Sequence, residues 1–214
     1  MLCLHNKESY SILVTTGSRY GSSGNFLIDN TEVINFEGKT CDLPPPYPKK
    51  IQSATGLIFD GHPLICGGRI SNTKTFEPIE DSAIDECYIL KDNEWVLHAT
   101  MQSARYGASG IFLGDNLWIT GGRDRTKRQN NVLNSTEIIP SNKKMSKYGE
   151  PLPHFKWMDP WMSNDHLYDG QARAYHTITS INETHSLLIG GTNQGAKHLR
   201  LCYNITCSAL PQYL

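Results

Sequence analysis

A short aliphatic run that ends in two glycines recurs along this chain, and a recurring unit constrains a fold more than any isolated motif does. It stands as "LWITGGR" at 117–123, "PLICGGR" at 63–69 and "SLLIGGT" at 186–192, with a degraded copy, "SILVTTG", at 11–17 in which Thr16 replaces the first glycine. The second glycines fall at 17, 68, 122 and 191, giving spacings of 51, 54 and 69 residues. Each run reads as a short buried strand, and the glycines that follow leave no side chain to pack, so they end the strand or admit close backbone. The longest spacing predicts an insertion between the third and fourth units.

Other features keep step. Glu32, Glu86 and Glu137 follow the second glycines by 15, 18 and 15 residues, in "TEVINF", "DECYIL" and "TEII", and predict a further strand in each unit. Ahead of the glycines, "ARYGASGIFLGDNLWITGG" and "ARAYHTITSINETHSLLIGG" align Arg105 with Arg173 and supply another strand before a polar turn. "KTCDLPPP", "NEWVLHATM" and "GEPLP" close the first three units as a fourth short segment.

On these residues the chain resembles the kelch repeat, marked by a diglycine after the second strand, a Glu and Tyr in the third and a Trp near the fourth. The second unit matches best, with Gly67, Gly68, Glu86, Tyr88 and Trp95. The third keeps Gly121, Gly122 and Glu137 without the tyrosine and tryptophan, and the fourth keeps Arg173, His176, Gly190 and Gly191 without the glutamate. The resemblance implies an all-β propeller of about four blades, each of four antiparallel strands. The blades span 1–48, 49–102, 103–153 and 173–214, with an insertion at 154–172. Kelch rings have more blades than this, so the expectation is a fragment or an incomplete ring whose open ends could self-associate.

Composition removes other classes. Twenty basic and 21 acidic residues give a net charge of −1, which is no footprint for nucleic acid. No apolar run approaches the ~18 residues that would span a bilayer. No strand-to-helix context accompanies the glycines, as a phosphate loop would require. His154, His166 and His176 form no assignable catalytic set, so neither enzyme activity nor a cofactor is expected. Cys87 and Tyr88, adjacent on a strand, point to opposite faces and do not suit the Cys–Tyr crosslink of a copper-radical oxidase, which leaves a non-catalytic relic of such an enzyme as a remote alternative.

The cysteines bear on compartment. Cys66 at the end of one strand and Cys87 in its neighbour are placed to bridge, and Cys202 and Cys207 flank "YNIT", read as a turn. Buried reduced cysteines in a cytosolic propeller are the alternative, and the expectation leans to a secreted protein. No CxxC or close Cys/His set suggests a metal. Asn134, Asn182 and Asn204 head N-glycosylation sequons, although 15 Asn and 33 Ser plus Thr yield about two by chance.

In a four-stranded antiparallel blade the connections from the second to the third strand share one end with those from the fourth to the next first strand. The long connections are all of this kind: 69–84, 123–135 and 154–171. The expected function is therefore protein or peptide binding at that end, with Arg69, Arg123, Arg125 and Arg128 meeting acidic groups and Trp157 or Trp161 as anchor. A cytosolic kelch ubiquitin-ligase adaptor would carry a similar propeller and is the alternative.

Overall fold

In the computed structural model, residues 11–21, 24–35, 43–70, 82–113, 116–126, 129–140, 156–158, 172–180, 185–194 and 202–206 are described. Their regular structure is all β and every pairing is antiparallel. The first unit is one long hairpin, β1 (Ser11–Gly21) with β2 (Gly24–Asn35). The second is a sheet of β3 (Thr55–Phe59), β4 (His62–Cys66), β7 (Glu86–Lys91) and β8 (Glu94–Thr100), with the ribbon β5 (Arg69–Ile70) and β6 (Ser82–Ala83) between β4 and β7. The third repeats this with β9 (Ser109–Leu113), β10 (Asn116–Thr120), β13 (Thr136–Pro140) and β14 (Lys156–Met158), and the ribbon β11 (Arg123–Thr126) and β12 (Gln129–Val132). The fourth contains β15 (Thr177–Ser180), β16 (His185–Ile189) and β17 (Cys202–Thr206).

Turn chemistry separates the two ends of these sheets. Asp60-Gly61 joins β3 to β4 and Asp92-Asn93 joins β7 to β8, all four residues at φ between 48° and 76°. Two central residues with positive φ give the tight turn whose twist matches its flanking strands. The ribbons β5–β6 and β11–β12 project from the other end.

Among the described residues, alternation along the strands builds two cores. Leu64 and Cys66 of β4 pack with Phe59, Cys87, Ile89, Leu117 and Ile119, filling the space between the second and third sheets. Ile65, between them in sequence, points the opposite way and packs with Tyr47, Ile51, Leu90 and Trp95. A strand buried on both faces is a continuous apolar run, which is why "PLIC" carries no polar residue.

The glycine pairs join one unit to the next. Gly17, Gly68 and Gly122 donate their N–H groups to the carbonyls of Ile51, Arg105 and Arg173, each at 2.8 Å. A Cβ on Gly67 would run into the Arg105 carbonyl oxygen, and one on Gly121 into that of Arg173. Both glycines have positive φ, 65° and 61°, and Thr16 in the degraded copy adopts 62° despite its side chain. The conformation belongs to the unit, and glycine is needed where the next unit's backbone closes in. A hydroxyl adds a second link: Thr55 Oγ1 donates to Ala108 O at 2.8 Å and Ser109 Oγ to His176 O at 2.5 Å.

Candidate functional site

Immediately before the first strand of the second, third and fourth sheets (β3, β9 and β15), three residues share one hydrogen-bond pattern. Gly107 N–H donates to Ser53 O at 2.8 Å, and Tyr175 N–H donates to Gly107 O at 2.7 Å. All three have positive φ, at 56°, 62° and 56°. One residue earlier, Gln52, Tyr106 and Ala174 form isolated bridges with Arg69, Arg123 and Thr192, the residues that follow each diglycine. The starts of these first strands and of the ribbons are thereby held together at one end of the sheets.

Arginines and tyrosines gather there. The Arg69 guanidinium lies over the Tyr106 ring, 5.5 Å from its centroid, and Tyr106 meets Tyr175 edge-on at 6.3 Å. Tyr106 is buried, whereas Tyr175 is 52% exposed. The Tyr175 ring leans across Gly107, where a Cβ would sit 2.8 Å from its Cε1, so the glycine makes room for it. Burial raises the Tyr175 phenol above its ordinary pKa and Tyr106 adds to this, while Arg123 and Arg69 oppose it. Both arginines are therefore within electrostatic range of one exposed phenol. Arg123 also donates to Asn193 O at 3.4 Å, and Val132 N–H donates to Gln194 Oε1 at 2.6 Å, fastening the β11–β12 ribbon to the fourth unit. Arg125 lies on β11 opposite Asn130.

Of the residues expected to meet a partner, Arg69 lies in β5 and Arg123 and Arg125 lie in β11, at the ribbon end. Arg128 and Trp161 lie outside the described residues. Trp157 is placed differently: instead of a connection it lies in β14, paired with Glu137, because residues 156–158 supply the fourth strand expected from 149–153. The third unit accordingly extends into the segment read as an insertion. Tyr106 and Tyr175 are the aromatic residues at the ribbon end that the sequence reading missed. Their signal was position alone, one and two residues after the aligned Arg105 and Arg173.

The arginines and glutamates that recur between units serve the framework. Arg105 is buried and donates to Gly121 O at 2.8 Å, Ser135 O and Ser135 Oγ at 3.2 Å, and Glu137 Oε1 at 2.5 Å. Glu137 also accepts from the N–H groups of Gln102 and Ser103, at 2.7 and 3.0 Å. Arg173 Nη1 repeats the first of these bonds, to Gly190 O at 3.1 Å. His176 is buried, and burial, reinforced by Arg173, lowers its pKa to about 4.

Strand register corrects one alignment. Thr15 faces Thr31, Cys66 faces Cys87 and Thr120 faces Thr136, so Glu32, Tyr88 and Glu137 are equivalent, and Glu86 sits two residues earlier. Ile51 holds the position of Arg105 in the second unit, and Lys49, also two residues earlier, forms the ion pair with Glu86. Both charges have moved by the same two residues, which preserves a cation–carboxylate pair in that unit. Tyr88 donates its hydroxyl to Glu86 at 3.3 Å, and Trp95 Nε1 donates to Pro45 O at 3.1 Å.

Cys66 and Cys87 are joined by a disulfide across β4 and β7. The second expected bridge rested on a turn at 203–206, and those residues with Cys202 form β17 instead. An extended strand separates residues by ~3.3 Å each, which carries its two ends apart. Cys207 lies outside the described residues, as do Asn182, His154 and His166.

No family model matches the chain, and no curated protein matches it. Among solved structures, that of YjhT is similar, covering 92% of this chain with a TM-score of 0.56 at 10% sequence identity. The chain spans 66% of the length of that structure. At this identity the likeness is one of fold.

Proposed function

We propose that the chain is a series of kelch-type propeller blades that acts as a non-catalytic binding module, with its partner docking on the ribbon end. The reading is carried by the placement of Arg69 and Arg123 at the same position of consecutive units, Arg69 over the Tyr106 ring, Arg123 bridged to the Tyr106 backbone, and both within electrostatic range of the exposed Tyr175. Rigid sheets hold the two guanidinium groups in fixed relation, and loops so held are where binding function concentrates. A partner segment bearing carboxylates complements the charge, and its apolar part meets the Tyr175 ring in the role first expected of a tryptophan. Tyrosine and arginine are the residue types that anchor interfaces. The Cys66–Cys87 disulfide favours an extracellular setting, since such bonds persist in oxidising compartments.

The test begins with affinity capture from native extract and continues with binding kinetics on purified partner. Arg125→Glu should chiefly slow association and flatten its dependence on salt, and Tyr175→Ala should cost ~2 kcal/mol or more as a true anchor. Parent-like binding by both folded variants, with binding abolished by changes in the 60–61 or 92–93 turns, would move the interface to the other end.

A further inference from the structure

We propose that Asn134 is an N-glycan acceptor, modified before its unit folds, and that the glycan stands beside the arginine-bearing ribbon. The acceptor motif is Asn134-Ser135-Thr136, and the structure sorts it from the other sequon among the described residues. Asn204 sits at the centre of β17, with its backbone opposite Leu187. Asn134 lies between β12 and β13 in irregular chain and is exposed. Its neighbours are fixed: Leu133 N–H donates to Gly122 O at 2.8 Å, and Ser135 O accepts from Gly121 N–H at 3.0 Å. An exposed asparagine on a held surface connection is the setting in which this motif carries a glycan. The Cys66–Cys87 bond points independently to a compartment where such transfer occurs.

The hydroxyls of the motif fix the timing. Thr136 is buried and its Oγ1 donates to Thr120 Oγ1 at 3.1 Å, while Ser135 Oγ accepts from Arg105. A transferase that reads the third-position hydroxyl can reach it only before β13 closes on β10. The donor is a polyprenyl-pyrophosphate-linked oligosaccharide. Asn134 Nδ2 forms a bond to C1 of its reducing-end sugar, the C1–O bond breaks with its electron pair leaving on the polyprenyl pyrophosphate, and the amide gives up one proton. After folding, the exposed side chain keeps the sugar outside the core. Val132, two residues before Asn134, pairs with Arg123, which puts the glycan at the edge of the docking face. The glycan site stands without the proposed function; only its effect on docking rests on that reading.

The full chain, translated behind a cleavable secretory leader in the presence of microsomes, tests the site directly. Peptide mass spectrometry after enzymatic glycan release should find Asn134 converted to Asp, the mass shift should vanish in Asn134→Gln, and Asn204→Gln should retain it. Folded chain made without a leader should stay unmodified when offered transferase and donor, whereas the reduced, unfolded chain should accept. Plain Asn134 in translocated, leader-cleaved chain would overturn the site, and equal modification of folded and unfolded chain would overturn the timing. A glycan at Asn134 whose removal leaves partner affinity unchanged upholds the site and counts against the docking face.

Discussion

Arg105 and Glu137 form an ion pair of 2.5 Å in which both side chains are fully buried. Each belongs to the third unit, and the Arg105 carbonyl accepts from Gly68, so the pair also bears on the seam with the second unit. Removing one partner leaves a buried charge uncompensated. Glu137→Ala should therefore cost about 3–5 kcal/mol in urea unfolding. Lys49→Ala, which breaks the half-exposed pair with Glu86, should cost far less, about 1 kcal/mol at most. Equal losses would show that burial does not distinguish the two pairs.

Gly121→Ala places a methyl group against the Arg173 carbonyl and 2.8 Å from His176 Cε1, at a φ of 61°. Neither neighbour is the loose end of a flexible chain, so the loss should exceed ~2 kcal/mol. Gly56→Ala, on β3 with nothing within 4 Å, is the matched control and should stay within about 1 kcal/mol of the parent. Thermal melts of the two variants compare them directly.

Acid should loosen the seam between the third and fourth units. His176 has its pKa lowered to about 4 by burial and by Arg173, from an ordinary value of 6.5. Below pH 6.5 the unfolded chain takes up a proton that the folded chain refuses, so stability falls as the pH drops towards about 4 and the dependence ends there. The span corresponds to roughly 3 kcal/mol. Burial lowers His98 as well, in the same direction. His176→Gln should flatten the slope over that window; an unchanged slope would assign it to other groups.

Non-reducing peptide mapping of protein made in an oxidising compartment should recover Cys66 linked to Cys87. The bond closes a sequence separation of 21 residues. Replacing both cysteines by alanine should lower stability by about 3 kcal/mol on the loop-entropy estimate. Full alkylation of both thiols in the folded protein would contradict the bond.

The all-β class was legible in the sequence because each aliphatic run meets its diglycine at a constant position, and the Cys66–Cys87 pairing followed from the adjacency of the two strands. The alignment of Glu86 was not legible, because its connection is longer and only strand register shows where the extra residues go. Trp157 was misplaced for a similar reason: three residues, 156–158, are too short a pattern to mark a strand. Tyr175 was hidden because its role depends on Gly107 of the preceding unit, 68 residues away in sequence, leaving room for its ring.

Hydrogen exchange with and without the captured partner tests the docking face most directly. The account predicts slowed exchange at 69–70 and 82–83 on one ribbon, at 123–126 and 129–132 on the other, and at 175, with the turns at 60–61 and 92–93 unchanged. Protection confined to those two turns, with the ribbons exchanging as in the free protein, would contradict it.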